Sequence, residues 1–316
     1  MVKIFIDGSE GTTGLRIDER LSVRDDIQVL KIDPEKRKDP SEKRKLINES
    51  DYTFLCLPDA ASIEDAQLVD ADNTHTVLID ASTAHRTDAD WAYGFPELAA
   101  SFREKIRNSR KIAVPGCYAS GFMMIVFPLV FAGIIENDYP LSCTALSGYS
   151  GAGKKAIALY EADDKTADLY APREYALGQQ HKHLKEMKAI AGLSAEPLFI
   201  PIVDDYYSGM IVNIPLFTRL MKKKMSPAEL RDFYSEYYKG EQFINVREFG
   251  SEEETGGFLA ANKLSGKDSA EIFVTGNEER ILISARFDNL GKGASGAAMQ
   301  CLNIKMNCPE DKGLKL

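Results

Sequence analysis

Val2-Lys3-Ile4-Phe5-Ile6, running through Asp7 into Gly8-Ser9-Glu10-Gly11-Thr12-Thr13-Gly14, decides the fold class. An apolar run that reads as a strand enters a glycine turn and then a helical pattern. Such glycines permit a tight turn and a close backbone approach, so that a pyrophosphate can rest on the helix N-terminus. The spacing is G-x-x-G-x-x-G rather than G-x-G-x-x-G, which meets the general dinucleotide fingerprint in part. A glycine turn with no ligand is the competing reading. Its place directly after the first strand favours the cofactor, with Gly8, Ser9, Glu10, Gly11, Thr12, Thr13 and Gly14 as its contacts.

Outward from this turn, strand and helix alternate for about a hundred residues. Strands read at Val2–Ile6, Ile27–Ile32, Tyr52–Leu57, Val77–Asp80 and Lys111–Val114, and helices around Gly14–Arg24, Glu42–Glu49 and Ala61–Val69. This grammar predicts a parallel sheet covered on both faces, with ligands at the carboxyl ends of its strands. After Cys117 the pattern becomes mixed. Strands read at Ser142–Leu146, Leu198–Val203, Met210–Leu216, Ile244–Arg247, Leu259–Lys263, Glu271–Thr275 and Arg280–Arg286, several joined by short polar turns. Helices read at Lys154–Asp163, Ala176–Ile190 and Pro227–Tyr238, and a last helical run follows Gly291 through Met306. The expected fold is α/β: a Rossmann-type parallel-sheet domain joined to a second, α+β domain with a mixed or antiparallel sheet.

The 316 residues suffice for two domains, and 44% hydrophobic with 28% charged residues is ordinary for a soluble globular protein. A net charge of −9 argues against a nucleic-acid or anionic-membrane partner. It leaves room for a small anion held by a local basic cluster. Five cysteines, none in C-x-x-C spacing, fit a reducing cytoplasm and no metal site. The first strand begins at Val2, leaving no room for a signal peptide. No apolar run reaches the roughly 18 residues of a membrane span. Phe122–Ile135, the most apolar stretch, is interrupted by Pro128 and reads as a buried helix.

Pro115-Gly116-Cys117-Tyr118 puts a thiol at the seam between the strand at Lys111 and the apolar helical run from Ala119 to Ile135. Unpartnered N–H groups at a helix start favour negative charge and lower a thiol's pKa toward neutrality. A buried structural cysteine is the alternative, and the tetrapeptide alone does not choose. Asp33 at the end of the second strand suits the ribose of NAD, whereas Lys36, Arg37 and Lys38 suit a 2′-phosphate; a solvated charged loop is the third reading. Gly148–Lys154 fits G-x-x-x-x-G-K, but Lys155 stands where a nucleotide-triphosphate loop needs Ser or Thr for Mg²⁺. His181 and His183 sit two apart on the expected helix and so diverge, which suits one acid–base partner for Cys117 better than a metal pair. At least one of the two should be a surface residue.

Along nearly the whole chain the sequence resembles N-acetyl-γ-glutamyl-phosphate reductases of the shorter type, within the semialdehyde dehydrogenase superfamily. The matching segments are Gly8–Gly14, Leu55–Ala61, Asp80–Arg86, Tyr93–Leu98, Pro115–Tyr118, Ser147–Lys154, His181–His183 and Asp288–Ala298. Lys185 departs from the proline usual there. The resemblance implies an NADP(H)-binding domain over 1–116 with the C-terminal 290–316, and a catalytic, oligomer-forming domain over 117–289. It implies a dimer or tetramer of identical chains and an acyl phosphate substrate. Cys117 would be the nucleophile and His181, with His183 in reserve, the acid–base group. Arg86, Ser82, Thr83, Ser147, Gly148 and Lys154 would hold substrate; Arg37, Pro58, Asn289 and Gly291 would join the glycine loop at the cofactor. The Gly148–Lys154 loop then belongs to the active site, not to a triphosphate.

Overall fold

The computed structural model describes residues 1–316, which divide into two compact units. Met1–Gly116 with Ala294–Leu314 form the first, and Cys117–Gly293 with Lys315–Leu316 the second.

The first unit opens with β1 (Val2–Asp7), α1 (Thr12–Ser22), β2 (Ile27–Leu30), α2 (Pro40–Glu49), β3 (Tyr52–Leu55), α3 (Asp59–Ala66) and β4 (Val77–Asp80). A two-residue β5 (Ala92–Tyr93), α4 (Ala100–Asn108) and β6 (Lys111–Ala113) follow. All six strands are parallel, in the order β2-β1-β3-β4-β6-β5. Successive residues of β1 face opposite sides. Ile4 and Ile6 join Ile17 and Leu21 of α1 in one core, while Phe5 joins Ile47 of α2 in the other. Each buried side chain of this size contributes about 1.5–3 kcal/mol, so both faces must be covered. The strand order reverses beside β1, and the glycine turn stands at that switch point.

The second unit starts with α5 (Cys117–Phe131), β7 (Ser142–Gly148), α6 (Lys154–Tyr160), β8 (Arg173–Glu174) and α7 (His183–Ala191). It continues with β9 (Leu198–Asp204), β10 (Met210–Phe217), α8 (Pro227–Tyr237), β11 (Ile244–Val246), β12 (Ala270–Gly276) and β13 (Arg280–Phe287). The sheet is mixed, in the order β11-β12-β13-β10-β7-β9-β8. Met210, Val212, Ile214 and Leu216 of β10 are buried on the side that α5 covers. A Cβ on Gly121 of α5 would lie 2.4 Å from Val212, so this glycine permits the close crossing. The chain then passes through a π-helical turn, Gly291–Ser295, into α9 (Gly296–Lys305), which packs in the core of the first unit.

Several expectations need correction. Pro128 does not interrupt α5. It removes the N–H that would bond Met124 O, and Tyr238 Oη donates to that carbonyl at 2.8 Å instead. Leu259–Lys263 is a series of turns, not a strand, with Lys263 N bonded to Ala260 O. The helix expected from Ala176 begins only at His183. Ala176 and Gln179 have φ of 53° and 54°, and the Gln179 amide pairs with both backbone groups of Phe199. α4 and β5 carried no clear pattern, because α4 buries only Ile106 and β5 has two residues.

Candidate active site

In the first unit the glycine turn is built for close approach. Gly8 has φ +83°, and a Cβ there would stand 2.3 Å from Cys56 O; one on Gly14 would stand 2.3 Å from Gly8 O. Gly11 caps α1 without any side-chain bond, and its first turn, Thr12 to Gly14, carries no acidic residue. The N–H groups there suit an anion. Thr12 Oγ1 is buried with no hydrogen-bond partner, which fits a ligand bound at the turn. Ser9 and Glu10 complete the turn, and Pro58 caps α3 beside it in the loop after β3.

The basic loop lies against this turn, where Arg37 forms an ion pair with Glu10. Lys36 stands 3.6 Å from Glu42. Asp33 does not end a strand, because β2 stops at Leu30. Its carboxylate accepts Glu35 N at 3.0 Å, and its carbonyl accepts Lys36 N, so Asp33 builds the turn that presents the basic residues. These residues fit a dinucleotide, which would set its pyrophosphate on Gly8–Gly14 and its ribose end by Arg37.

Asp80, at the end of β4, is fully buried and accepts Ser62 Oγ, Ser82 N, Ser82 Oγ and His85 Nδ1. The hydroxyl of Ser82 is thus engaged inside the protein. Thr83 bonds Asp59 through both its N–H and its hydroxyl. Arg86 is not a surface residue; it is 7% exposed, and Nε donates to Val114 O at 2.9 Å.

In the second unit Cys117 is the first residue of α5 and is partly exposed. No acidic residue opposes a thiolate in that first turn. Cys143 and Cys301 are buried, and burial pushes the Cys56 and Cys143 thiols far above the usual range. A Cβ on Gly293, in the π-helical turn, would lie 2.9 Å from Cys117 Cβ, so this glycine makes room for the Cys117 side chain. π-helical turns recur at functional sites.

Around Tyr118 the structure collects an aromatic cluster. The rings of His181 and His183 each lie 5.9 Å from Tyr118, and 4.7 Å from one another. The two histidines therefore do not diverge. His181 precedes α7 and is partly exposed, whereas His183 is the first residue of the helix and is buried at 5% exposure. His181 Nδ1 accepts His183 N at 3.1 Å, which puts the proton of the neutral ring on Nε2. Tyr175 packs on both Tyr118 and His181. Burial pushes the Tyr175 phenol upward against the pull of its bond with Tyr118, with a smaller push from Cys117, and burial raises Tyr118 as well. Tyr175 and Gly293 were missed in the sequence. The only signals were an aromatic residue in a polar loop and one glycine among several.

The Gly148–Lys154 segment is no triphosphate cradle. The N–H groups of Gly148, Tyr149 and Ser150 bond Gly209 O, Tyr206 O and Tyr207 O, so the first half of the segment offers no donor to a phosphate. Ser147 is buried and Lys154 is exposed at the start of α6. Asn289 Oδ1 accepts Gly209 N at 2.8 Å and its Nδ2 donates to Ser150 Oγ at 3.0 Å. That brace within the second unit occupies the side chain expected at the cofactor. Gly291 belongs to the same unit, where a Cβ would meet Lys267 O at 2.1 Å.

By its second unit the chain falls in the semialdehyde dehydrogenase class. Residues 117–289 match the family model of the semialdehyde dehydrogenase dimerisation domain. Aspartate semialdehyde dehydrogenase from Francisella tularensis superposes with a TM-score of 0.73 at 16% identity, over 96% of this chain and 99% of that one. In sequence, N-acetyl-gamma-glutamyl-phosphate reductase 2 of a Nostoc species is 44% identical, over 99% of each chain. The Brucella ovis N-acetyl-gamma-glutamyl-phosphate reductase is 42% identical, over 96% of this chain and 98% of its own. The chain belongs to the family of N-acetyl-γ-glutamyl-phosphate reductases.

Proposed function

We propose that the protein reduces N-acetyl-L-glutamyl 5-phosphate to N-acetyl-L-glutamate 5-semialdehyde with NADPH, a step of arginine biosynthesis. The observation that carries this reading is Cys117 on the first turn of α5, with the His181–His183 pair packed on the adjacent Tyr118. The thiolate of Cys117 attacks the acyl carbon, the C–O bond to phosphate breaks, and a thioester forms as phosphate leaves. The reduced nicotinamide, when bound, supplies the hydride. His181 Nε2–H shares its proton with the oxygen of the resulting thiohemiacetal and recovers it as the C–S bond breaks, so that collapse releases the aldehyde, restores the thiolate and leaves His181 unchanged. Arg86 grips the phosphate, on a segment that Ser82 and Thr83 hold in place through Asp80 and Asp59. A guanidinium matches phosphate through two parallel hydrogen bonds.

The working form is a homo-oligomer, supported by the description of the matching domain family. In the second unit, Leu146, Ile200, Ile202 and Leu282 lie on the sheet face opposite the buried side chains of β10 and β13, incompletely buried. A second copy would cover them. Sedimentation of the pure protein tests this, and a strictly monomeric active enzyme would refute it.

The deciding assay runs in reverse, with N-acetylglutamate semialdehyde, phosphate and NADP⁺, and with aspartate semialdehyde in parallel. Cys117→Ser should bind cofactor and lose turnover by about three orders of magnitude or more, since a hydroxyl is largely un-ionised near neutrality. Near-normal turnover in Cys117→Ser would sink the covalent route, and preference for the four-carbon aldehyde would reassign the substrate.

A further inference from the structure

The segment Ala81–Arg86 has no regular secondary structure, yet each of its polar side chains is tied down. Ser82 Oγ donates to Asp80 Oδ2 at 2.7 Å and His85 Nδ1 meets the same oxygen at 2.6 Å. Thr83 is held by Asp59, and Arg86 by the carbonyls of Val114 and Ala81. Asp80 also reaches into α3, where Ser62 Oγ donates to Oδ1 at 2.7 Å. The His85 ring lies flat on Trp91, with centroids 3.9 Å apart and planes 12° from parallel.

A carboxylate with no exposure is costly to bury, and here four donors from Ser62, Ser82 and His85 offset that cost. What Asp80 adds is order. It fixes both ends of the Ser82–His85 stretch, at the carboxyl edge of a parallel sheet where ligands bind. Val114 is gripped at both backbone groups, its N–H by Asp80 O at 2.7 Å and its carbonyl by Arg86 Nε. The guanidinium plane of Arg86 is thereby set before any ligand arrives.

We propose that Asp80 and His85 are positioning residues that hold Arg86 oriented for the phosphate of the acyl phosphate. This rests on the reading of Arg86 as the phosphate grip given above. Pre-set orientation matters because a guanidinium that must find its plane loses much of the benefit of bidentate binding. His85 acts through its Nδ1–H bond to Asp80, with Trp91 as the surface on which the ring rests.

The test measures reverse turnover against phosphate in the intact enzyme, with kcat, phosphate KM and NADP⁺ affinity determined separately. His85→Phe keeps a ring on Trp91 and loses the donor, whereas His85→Asn keeps an N–H at the place of Nδ1. Phosphate KM should rise about ten-fold in His85→Phe and in Asp80→Asn, while kcat changes less and cofactor affinity is unchanged. His85→Asn should restore KM to near the wild-type value. A folded His85→Phe with wild-type phosphate KM overturns the proposal, as does a loss confined to kcat. If Asp80→Asn does not fold, the two His85 variants decide alone. Arg86→Ala separates the two readings. An unchanged phosphate KM there refutes the grip itself, and a raised KM with His85→Phe unaffected refutes only the positioning role.

Discussion

Removing one hydroxyl tests how the helix that carries Cys117 holds together. Pro128 leaves Met124 O without a helical donor, and Tyr238 Oη supplies one at 2.8 Å. Met124 is 0% and Tyr238 3% exposed, so water has little access to the carbonyl. Tyr238→Phe keeps the ring and removes the donor. A buried acceptor left unsatisfied costs about 1–3 kcal/mol. For a unit of this size that lowers Tm by roughly 2–12 °C. Pro128→Ala restores a helical N–H to Met124 O, so in that background Tyr238→Phe should cost less than about 1 kcal/mol. The two substitutions should therefore couple by about 1–2 kcal/mol in a double-mutant cycle. Thermal melts of the four proteins, followed by circular dichroism at one fixed concentration, measure it. Equal losses from Tyr238→Phe with and without Pro128 would refute the compensation. Turnover per folded site should stay unchanged in Tyr238→Phe, because Met124 lies about two turns along α5 from Cys117.

Cofactor choice should favour NADP(H) over NAD(H), and Arg37→Ala should weaken NADP(H) selectively by about ten- to a hundred-fold, the worth of one charge-assisted bond. Equal kcat/KM for the two cofactors in the wild type would show that the loop is only solvated. His181→Asn should remove most of kcat, and His183→Asn should mainly raise KM; if neither lowers kcat, the proton comes from elsewhere. Asp7, just before the glycine turn, is pushed up to about 7 by burial and by its bond to Asp65, against the pull of Lys43. Its folded value exceeds the 3.8 of a free aspartate, so its contribution is full below pH 4 and is lost as pH rises through 7. Wild type should thus lose stability relative to Asp7→Asn between pH 5 and 8, and parallel Tm curves for the two proteins would refute this.

The positions of the strands were legible because their cause is local. Val77–Asp80 was read to the residue, and β1, β3, β6, β10 and β13 to within two, since alternating or continuous apolar runs record burial directly. The start of α7 was not legible. His183–Ala191 carries the helical pattern, but the preceding segment does too, and only the pairing of Gln179 with Phe199 holds it off the helix. That contact spans 20 residues, and no local pattern reports it.

The same division runs through the candidate site. The sequence by itself placed a thiol at a helix start and a glycine turn after the first strand, because strand, turn and helix are set by neighbours along the chain. Its order of motifs also pointed to the family. Tertiary structure alone decided that His181 and His183 share one face of Tyr118, that Arg86 is locked to Val114, and that Asn289 braces a loop. Only folding decided that Gly293 clears the space beside Cys117, 176 positions away in the chain. Each of these depends on atoms brought together by the core. Side-chain direction and hydrogen-bond partners are fixed by packing, and a linear sequence states which groups are present without stating which will meet.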